Sequence, residues 1–511
     1  MIVSPIAQWK WTTIVIVAYV LLVASGVCSS GEGSFAVTVR KKPVSTEGAG
    51  RRLLSKGSAI PMHSYGKRLG NIHGGGHEFS LTVTLAGEQK YDLIMDTGSP
   101  ITYLPCVGCP VELCGFHEHP YYDWRMSNDF RVLNVSTNTA DAAFCDIMPV
   151  GMKNVSDSGS CIFLLGYMDG SSGAGWMVED MVSVGGELSH AKMVFGCGGL
   201  IEADGGYDRQ DGMAGFSRGP TAFHAQLVKA GVIDTHVFGF CSEGSSSDSA
   251  MLSLGRYDFG RDLAPLSYTN MLPGDTFDFF SVRTHSWKLG ETTIAGSSNV
   301  VTVLDSGTTM VVLPSVMFLD FINQLKAQIT RTHPEILVFE DKNITGSYCF
   351  IPETTVLTEK LRHEWFPKLT ITYDPDIRLN LPAENYLYSH PVSPHTFCVG
   401  VYESEDGNII LGQQTLRNTF LEFDIENNRV GMVVAHCEQL RKKFAPDGPH
   451  NPWRLVAIVF ILLFTACIIG SVSFFLYINF GSRKLFRYQV FDDEPLDQEV
   501  EMNDGLHTSS R

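Results

Sequence analysis

The stretch that decides the fold is Leu93-Ile94-Met95-Asp96-Thr97-Gly98-Ser99, because Val300-Val301-Thr302-Val303-Leu304-Asp305-Ser306-Gly307-Thr308 repeats its pattern later in the chain. In each copy an apolar run predicts a buried strand that ends at an aspartate. The glycine two residues later lets the backbone turn tightly, so that the carboxylate stays at the strand end. Two copies indicate two related lobes that present Asp96 and Asp305 to a shared cleft.

Two carboxylates held close together cannot both ionise cheaply, so they share a proton. One then serves as general base on a water molecule while the other serves as acid. The duplicated motif therefore predicts a hydrolase that works through Asp96 and Asp305, with no cofactor and no metal. A single copy would have indicated only an ordinary strand and turn.

The duplication extends beyond the aspartates. Met213-Ala214-Gly215 follows the first motif and Ile410-Leu411-Gly412 follows the second, each an apolar pair before a glycine. A helical pattern also occurs in both halves, over Thr221 to Ala230 and over Ser315 to Ile329. Gly231 is the expected C-cap of the first helix, and Ser315 is the expected N-cap of the second.

Composition favours a folded chain with at least two cores, because 511 residues exceed one ordinary domain. Glycine is abundant, and valine, threonine, phenylalanine and tyrosine recur between turn residues, which predicts an all-β architecture. The net charge is −17, and no basic run is long enough to follow a phosphate backbone. Nucleic acid is therefore excluded as an expected partner.

Both ends of the chain predict a membrane protein. An apolar run behind Lys10 indicates a signal peptide over residues 1–28, with an uncleaved signal anchor as the alternative. Residues 455–480 are apolar over a length that crosses a bilayer, and they predict a transmembrane helix. The expected topology is type I, with the catalytic part lumenal and residues 481–511 cytosolic. The expected location is the membrane of the endoplasmic reticulum or Golgi.

Cysteine usage agrees with an oxidising compartment. Ten of the twelve cysteines lie between the signal and the predicted span, which allows five disulfides. Three N-x-Ser/Thr sequons begin at Asn134, Asn154 and Asn343, and they predict glycosylation. Zinc is an alternative for one cluster, which comprises Cys106, Cys109, Cys114 and His117.

From Glu78 to Cys437 the chain resembles the pepsin-like aspartic proteases, in which an apolar-apolar-Gly strand threads beneath each aspartate loop. Within that group, the run from Pro105 to Tyr121 resembles the cysteine-rich insert of the plasmepsin V group and the nepenthesin-type insert of plant proteases. The run from Cys161 to Ser171 resembles the plasmepsin V flap. The resemblance implies a bilobal all-β fold, with lobes over 76–258 and 259–437, a linker over 438–454 and a C-terminal transmembrane helix.

The resemblance also implies roles for individual residues. Asp96 and Asp305 would be the catalytic dyad, and Tyr167 would be the flap tyrosine that closes over a polypeptide substrate. Tyr103 stands where pepsin has the tryptophan that bonds the flap tyrosine. The residues expected to contact the substrate or to fix the dyad are Gly98, Ser99, Tyr167, Asp169, Gly170, Gly307 and Thr308.

Specificity and maturation follow from the same resemblance. The plasmepsin V group cleaves exported proteins after Leu in an Arg-x-Leu motif, and Asp169 would face the arginine. Residues 29–75 would be a prosegment or, alternatively, a flexible stub. The implied disulfides are Cys349–Cys398, Cys241–Cys437, Cys114–Cys197, Cys145–Cys161 and Cys106–Cys109.

Other functions remain open at the level of sequence. A sheddase resembling β-secretase and a general secretory-pathway maturase would share the dyad and the anchor. A non-catalytic pepsin-fold binding protein would lose a dyad aspartate, whereas this chain keeps both. Cleavage of peptides with arginine at the third position before the cut would distinguish an export protease from a sheddase or a general maturase.

Overall fold

The computed structural model describes residues 58–66, 77–167, 171–184, 190–202, 211–243, 249–274, 278–340, 347–352, 359–390, 393, 395–404, 407–444, 465 and 467–473. All of them belong to one compact unit, Arg51–Arg511. The predicted signal peptide and cytosolic tail lie outside the described residues.

Strands predominate in the described chain, as the sequence predicted. They are β1 Ser58–Gly66, β2 His77–Leu85, β3 Gln89–Asp96, β4 Tyr103–Pro105, β5 Arg131–Val132, β6 Lys153–Val155, β7 Cys161–Gly166, β8 Ser172–Val184, β9 His190–Glu202, β10 Gly212–Gly215, β11 Val237–Ser242, β12 Ser249–Leu254, β13 Ser267–Asn270, β14 Ser281–Leu289, β15 Thr292–Thr293, β16 Val300–Leu304, β17 Val311–Pro314, β18 Ile336–Glu340, β19 Tyr348–Pro352, β20 Leu369–Tyr373, β21 Ile377–Leu381, β22 Leu387–Ser389, β23 Phe397–Val399, β24 Val401–Ser404, β25 Ile410–Leu411, β26 Thr419–Asp424 and β27 Arg429–Val434.

The helices are short apart from one of 18 residues. They are α1 Val111–Cys114, α2 Thr139–Ile147, α3 Phe223–Lys229, α4 Ser315–Thr332, α5 Glu359–Trp365, α6 Gln413–Leu416 and α7 Cys437–Phe444. Single 3-10 turns occur at Ala86–Glu88, Trp124–Met126, Gly260–Asp262 and Ala383–Asn385.

The same strand crossing occurs in both halves, and it builds the two aspartate loops. In the first half β10 lies between β3, to which it is parallel, and β4, to which it is antiparallel. In the second half β25 lies between β16 and β17 with the same two directions. Each aspartate therefore stands at the end of a strand whose neighbour is the apolar-apolar-Gly segment.

One sheet joins the two halves. It has the order β13-β27-β26-β11-β12-β1-β2-β3-β10-β4-β9-β8-β7-β6, with β5 beside β8. The predicted lobe boundary at 258/259 falls between β12 and β13, and three later strands return to the sheet of the first half. Two smaller sheets complete the second half among the described residues, β21-β20-β14-β16-β25-β17-β24 with β15, and β18-β19-β23-β22. The arrangement is mostly β and is consistent with the bilobal pepsin-like fold.

A continuous apolar core crosses from one half to the other. It includes Phe238 from the sheet that joins the two halves, Trp287 from β14 and Phe321 from α4, and each of these side chains is almost completely buried. A rigid core beneath both loops matters for the site, because side chains on a packed scaffold hold their positions more closely than side chains on free loops.

Three boundaries differ from the expectations. Part of the possible prosegment, Ser58–Gly66, is β1 and lies between β12 and β2, so removal of all of residues 29–75 would remove a strand of the sheet. The predicted linker starts inside α7, which a disulfide holds to β11. Ser315 is the first residue of α4 and not its N-cap, because Pro314 precedes the helix in extended conformation.

Only part of the predicted membrane helix lies within the described residues. Of residues 455–480 the structure describes 465 and 467–473, and 467–473 are helical. Within the described part of the chain, no helix combines the length and the apolar character that a membrane crossing needs.

Candidate active site

Asp96 is held at the end of β3 by its own loop. The Gly98 N–H donates to Oδ1 of Asp96 (2.7 Å), and the Ser99 hydroxyl donates to Oδ2. The residue is 4 % exposed, so these two bonds replace most of the hydration that the carboxylate would have in water. Ser99 therefore contacts Asp96, as expected for a residue that fixes the dyad.

Asp305 is held in the same way after β16. The Gly307 N–H donates to Oδ1 (2.9 Å), and the Thr308 hydroxyl donates to Oδ2 (2.5 Å). Each carboxylate thus has one oxygen fixed by a backbone amide and the other fixed by a hydroxyl. Fixed geometry of this kind is what acid–base chemistry requires.

The two loops are joined to each other by reciprocal hydrogen bonds. The Thr97 N–H donates to Ser306 Oγ (3.0 Å), and the Ser306 N–H donates to Thr97 Oγ1 (2.9 Å). The two hydroxyls then donate across to the carbonyl groups of Leu304 and Met95, at 3.0 and 2.8 Å. Four bonds between buried groups fix the relative position of the two aspartates.

The glycines of the two motifs allow the carboxylates to approach. A Cβ atom built on Gly307 would lie 2.2 Å from Oδ1 of Asp96, and one built on Gly98 would lie 2.9 Å from Oδ1 of Asp305. Each carboxylate therefore packs against the opposite loop, and the Oδ1 atoms are the inner oxygens. The structure brings together the two residues that the sequence predicted as a pair.

Electrostatics agree with a shared proton. Burial raises the pKa of Asp96 well above its ordinary range, and the negative charge of Asp305 raises it further. The hydrogen bonds from Ser99 and Gly98 act in the opposite direction. Because protonation of one carboxylate relieves the repulsion, the pair holds a proton at a pH at which isolated aspartates would be ionised.

The glycines beneath the loops are required by close backbone contact. A Cβ on Gly215 would lie 2.4 Å from the carbonyl oxygen of Ile101, and one on Gly412 would lie 2.2 Å from that of Met310. The strand after each glycine also bonds the loop, as when the Phe216 N–H donates to the Asp96 carbonyl (2.7 Å). These positions explain why the apolar-apolar-Gly segment accompanies each motif.

Tyr167 reaches the dyad from the hairpin of β7 and β8. Its hydroxyl lies 3.1 Å from Ser99 Oγ, and it also hydrogen-bonds the side chain of Tyr103. Burial raises the pKa of Tyr167 well above its usual value, so the hydroxyl stays neutral. Tyr103 therefore supplies the partner for which pepsin uses tryptophan. Asp169 and Gly170 lie outside the described residues.

Ten cysteines form five disulfides, and two pairings differ from the expectation. Cys349–Cys398, Cys241–Cys437 and Cys145–Cys161 form as expected. The pairings Cys114–Cys197 and Cys106–Cys109 are wrong, because the bridges are Cys106–Cys197 and Cys109–Cys114. The physical reason is that β4 runs parallel to β9, which places Cys106 beside Cys197.

The zinc alternative fails for the same cluster. Its three cysteines are consumed by disulfides, and the His117 ring bonds the carbonyl of Cys114 instead of a metal. The insert is therefore fastened covalently, once to β9 and once across α1.

A second group of possible ligands was not predicted from the sequence. It comprises Asp92, His119 and Asp211, whose ligand atoms lie within 4.8 Å of one another. Asp211 is buried and accepts three N–H bonds, from the His119 backbone, the His119 ring and the Asp92 backbone. A cation would have to displace the ring proton of His119, so the group is a hydrogen-bonded anchor as it stands. Its members are distant in sequence, which is why spacing could not reveal it.

Two of the three sequons lie in the described chain. Asn154 is exposed on the edge strand β6. Asn134 is half-buried, and its amide donates to the Ser158 carbonyl while its side-chain oxygen caps the turn that follows. Asn154 is therefore the more accessible acceptor, and Asn343 lies outside the described residues.

Comparisons with known proteins agree with this geometry. Residues 154–435 match the family model described as eukaryotic aspartyl protease; that stretch contains Tyr167 and Asp305, and Asp96 precedes it. The chain is 25 % identical to aspartic proteinase nepenthesin-2 of Nepenthes gracilis, over 72 % of this chain and 79 % of that protein. It is 24 % identical to aspartic proteinase 39 of Arabidopsis thaliana, over 68 % and 72 % respectively.

The matched stretch covers more than half of the chain, and the two relatives just described are both aspartic proteinases. The repeated unit of strand, aspartate and glycine is thus found in a chain that matches a known family of peptidases. The chain belongs to the eukaryotic aspartyl protease family and is an aspartic endopeptidase.

Proposed function

We propose that Asp96 and Asp305 are the catalytic dyad and that they activate a water molecule against the peptide bond. The observation that supports this is the mutual approach of the two carboxylates across Gly98 and Gly307. The inner Oδ1 atoms face the same space, and the outer Oδ2 atoms are already occupied by the hydroxyls of Ser99 and Thr308. Each of the four oxygens accepts one hydrogen bond from its own loop, and we assign the shared proton to the inner pair because these two atoms approach the opposite loop most closely.

The chemistry follows from one shared proton. The ionised carboxylate takes a proton from water as the oxygen attacks the carbonyl carbon, and the protonated carboxyl group donates to the carbonyl oxygen. The proton taken from water then goes to the leaving nitrogen. As the C–N bond breaks, a hydroxyl of the tetrahedral intermediate returns a proton to the other carboxylate, which restores the shared proton. The Gly98 and Gly307 amides hold both carboxylates through the change of charge, since they donate to the inner oxygens throughout.

Tyr167 contributes by covering the site. Its hydroxyl bonds Ser99 and Tyr103, which holds Tyr167, the residue after β7, against the first aspartate loop. Exclusion of bulk water strengthens the electrostatic interactions within the cleft.

Inhibitor classes test the chemistry without altering the protein. We expect a peptide with a statine-type hydroxyl, which occupies the place of the attacking water, to inhibit the purified protein stoichiometrically. Metal chelators and reagents that modify serine or cysteine should leave activity unchanged. Loss of activity with a chelator, or resistance to the statine-type peptide, would overturn the proposed chemistry.

For the substrate, we propose cleavage after Leu in Arg-x-Leu-type motifs of secreted or exported proteins. The support is the similarity of the flap sequence from Cys161 to Ser171 to the plasmepsin V group, in which an acidic residue corresponds to Asp169. A carboxylate accepts two parallel bonds from guanidinium, a geometry that lysine cannot reproduce.

Matched peptides test this specificity. The peptides should differ only at the third position before the cut, with Arg, Lys or Ala, and we expect Arg to be favoured by about 30-fold or more, since a charged hydrogen bond contributes about 2 kcal/mol. Asp169→Ala should remove most of that preference, whereas Asp157→Ala, at an exposed turn outside the flap, should retain it. Equal rates for the Arg and Ala peptides would reject the motif and favour a sheddase or a general maturase.

We further propose that the protein is anchored by residues 455–480 and is type I in the endoplasmic reticulum or Golgi membrane. The apolar run and the signal-like N-terminus support this. Alkaline extraction of membranes tests it: the full chain should stay in the pellet, and a chain that ends at residue 450 should be released. Release of the full chain would contradict the anchor.

A further inference from the structure

His224 is a buried polar residue that the dyad does not use. It lies on α3, is 0 % exposed, and packs against the rings of Phe216 and Phe238. Its Nε2 lies 2.8 Å from the carbonyl oxygen of Ser217, and its Nδ1 lies 2.9 Å from Nε2 of His236. Both ring nitrogens are therefore satisfied in an otherwise apolar setting.

These partners determine the tautomer of the pair. A carbonyl oxygen only accepts, so Nε2 of His224 carries the proton and donates to Ser217. In the neutral ring Nδ1 is then an acceptor, so His236 must donate through its own Nε2. The order of donation runs from His236 to His224 to the Ser217 carbonyl.

At the Ser217 end, this series of hydrogen bonds continues to the first aspartate loop. The Ser217 N–H donates to the carbonyl of Ser99 (3.1 Å), and the Ser99 hydroxyl bonds both Asp96 and Tyr167. The Thr221 hydroxyl donates to the carbonyl of Pro100 (2.7 Å), one turn before His224 on the same segment. The segment that His224 holds is thus the one that supports the Ser99 end of the loop.

At the His236 end, the same series of hydrogen bonds continues to the large sheet that joins the two halves. His236 is half-buried. Its backbone N–H donates to the carboxylate of Glu426 (2.9 Å), and its backbone carbonyl accepts from the N–H of Ile425 (3.1 Å). Ile425 and Glu426 form the turn between β26 and β27, which comes from the second half of the chain. The histidine pair therefore connects that turn with the dyad loop.

We propose that His224, held in its neutral form by His236, is a positioning residue for Ser99 and Asp96, and that breakage of the neutral pair sets the acid limit of activity. The proposal rests on the proposed role of Asp96.

The two protons that the pair can accept have different effects. The first enters on Nδ1 of His236 and leaves the donation to His224 intact. The second must enter on Nδ1 of His224, where it removes the acceptor and places like charges 2.9 Å apart. Burial, together with His236, lowers the pKa of His224 to about 3, and burial lowers that of His236.

The charged groups near the pair in the described part of the chain have other partners or are exposed. Glu426 receives the backbone N–H of His236, and its charge favours protonation of His236. On the neighbouring strand Asp424 is paired with Arg256 and Arg429. Arg218 donates to the Leu272 carbonyl, and Asp234 and Lys229 are exposed.

Variants at His236 test the proposal in the purified full-length chain. His236→Phe keeps a ring against His224 but lacks the donor, whereas His236→Gln keeps a donor that cannot be charged. We expect Phe to lower kcat by roughly tenfold with little change in KM, which corresponds to one lost hydrogen bond. We also expect Phe to move the acid midpoint of kcat/KM to higher pH. Gln should restore kcat because it keeps the donor, but its acid midpoint should also lie above that of the parent, since the like charge of His236 is gone.

The controls make every outcome informative. His190→Phe, at an exposed residue of β9, should leave the profile unchanged. His236→Met, which also lacks a donor, replaces the Phe variant if that variant does not fold. A donor-free variant with the parent kcat and acid limb, or a Gln variant with the lowered kcat of the Phe variant, would overturn the proposal. Failure of the dyad itself is distinguishable, because Asp96→Asn would then retain turnover at every pH.

Discussion

At the scale of single residues, glycine matters as much as aspartate. The sequence predicted the pair of Asp96 and Asp305 and the hydroxyls that fix them, because the motif occurs twice. It could not predict the reciprocal bonds of Thr97 and Ser306, since these depend on how the halves face each other. It also could not find His224, whose partner on a separate loop gives no periodic pattern.

Gly307→Ala should disable the site without removing any functional group. The new Cβ would lie 2.2 Å from Oδ1 of Asp96, so the carboxylate must move away from Asp305. We expect kcat/KM to fall by about 100-fold, since misplacement by about 1 Å can have that effect. Gly199→Ala is the control, because its Cβ meets only ordinary van der Waals contact. Parent activity in Gly307→Ala would contradict the close approach.

Asp96→Asn should change how stability depends on pH. The raised pKa of Asp96 means that the folded protein holds a proton that the unfolded chain releases above pH about 4, so this residue lowers stability as pH rises through that window. Asparagine cannot ionise, so the variant should gain stability relative to the parent from pH about 4 upward. Melting temperatures of both proteins over a pH series measure this. A constant difference at every pH would show that the pKa is not raised.

At the scale of elements, the repeated crossing of strands explains what sequence could and could not predict. Both apolar-apolar-Gly segments were recognised because each is short and local. The parallel pairing of β4 with β9 joins segments about 90 residues apart, and no local pattern indicates such a pairing. The resemblance implied the wrong partners for the bridges of the insert, whereas it implied Cys349–Cys398 and Cys241–Cys437 correctly.

Peptide mapping without reduction should recover the pairings of the structure. We expect one cross-linked peptide that joins Cys106 to Cys197, and an internal bridge between Cys109 and Cys114. The physical basis is that β4 and β9 bring the first pair to a Cα–Cα distance of 5.4 Å, which suits a disulfide. A peptide that joins Cys114 to Cys197 would mean that the strand pairing is different.

At the scale of the whole molecule, one sheet and one disulfide hold the end of the protease to its first half. Strands β26 and β27 enter the sheet beside β11, and Cys437 at the start of α7 is bonded to Cys241 on β11. This bridge closes a loop of 196 residues, so it restricts the unfolded chain strongly. The pattern of the sequence predicted two lobes, but it did not show how closely they are joined.

Removal of this bridge should weaken the whole fold. We expect Cys241→Ala with Cys437→Ala to lower the free energy of unfolding by about 2–4 kcal/mol, as measured by denaturant titration. Cys467→Ala, at an exposed free cysteine, should have no effect and serves as control. If the double variant matches the control, the bridge does not contribute to stability.

The proposal that two carboxylates share one proton across the halves is tested most directly by turnover of a peptide by Asp96→Asn and by Asp305→Asn. Each variant keeps the size of the side chain but prevents the shared proton, so kcat should fall by at least about 10³-fold in both, within the range that general acid and base catalysis supplies. Asp376→Asn, at an exposed aspartate, should keep the parent kcat. Turnover above about a tenth of the parent kcat in either dyad variant, with the fold intact, would contradict the proposal.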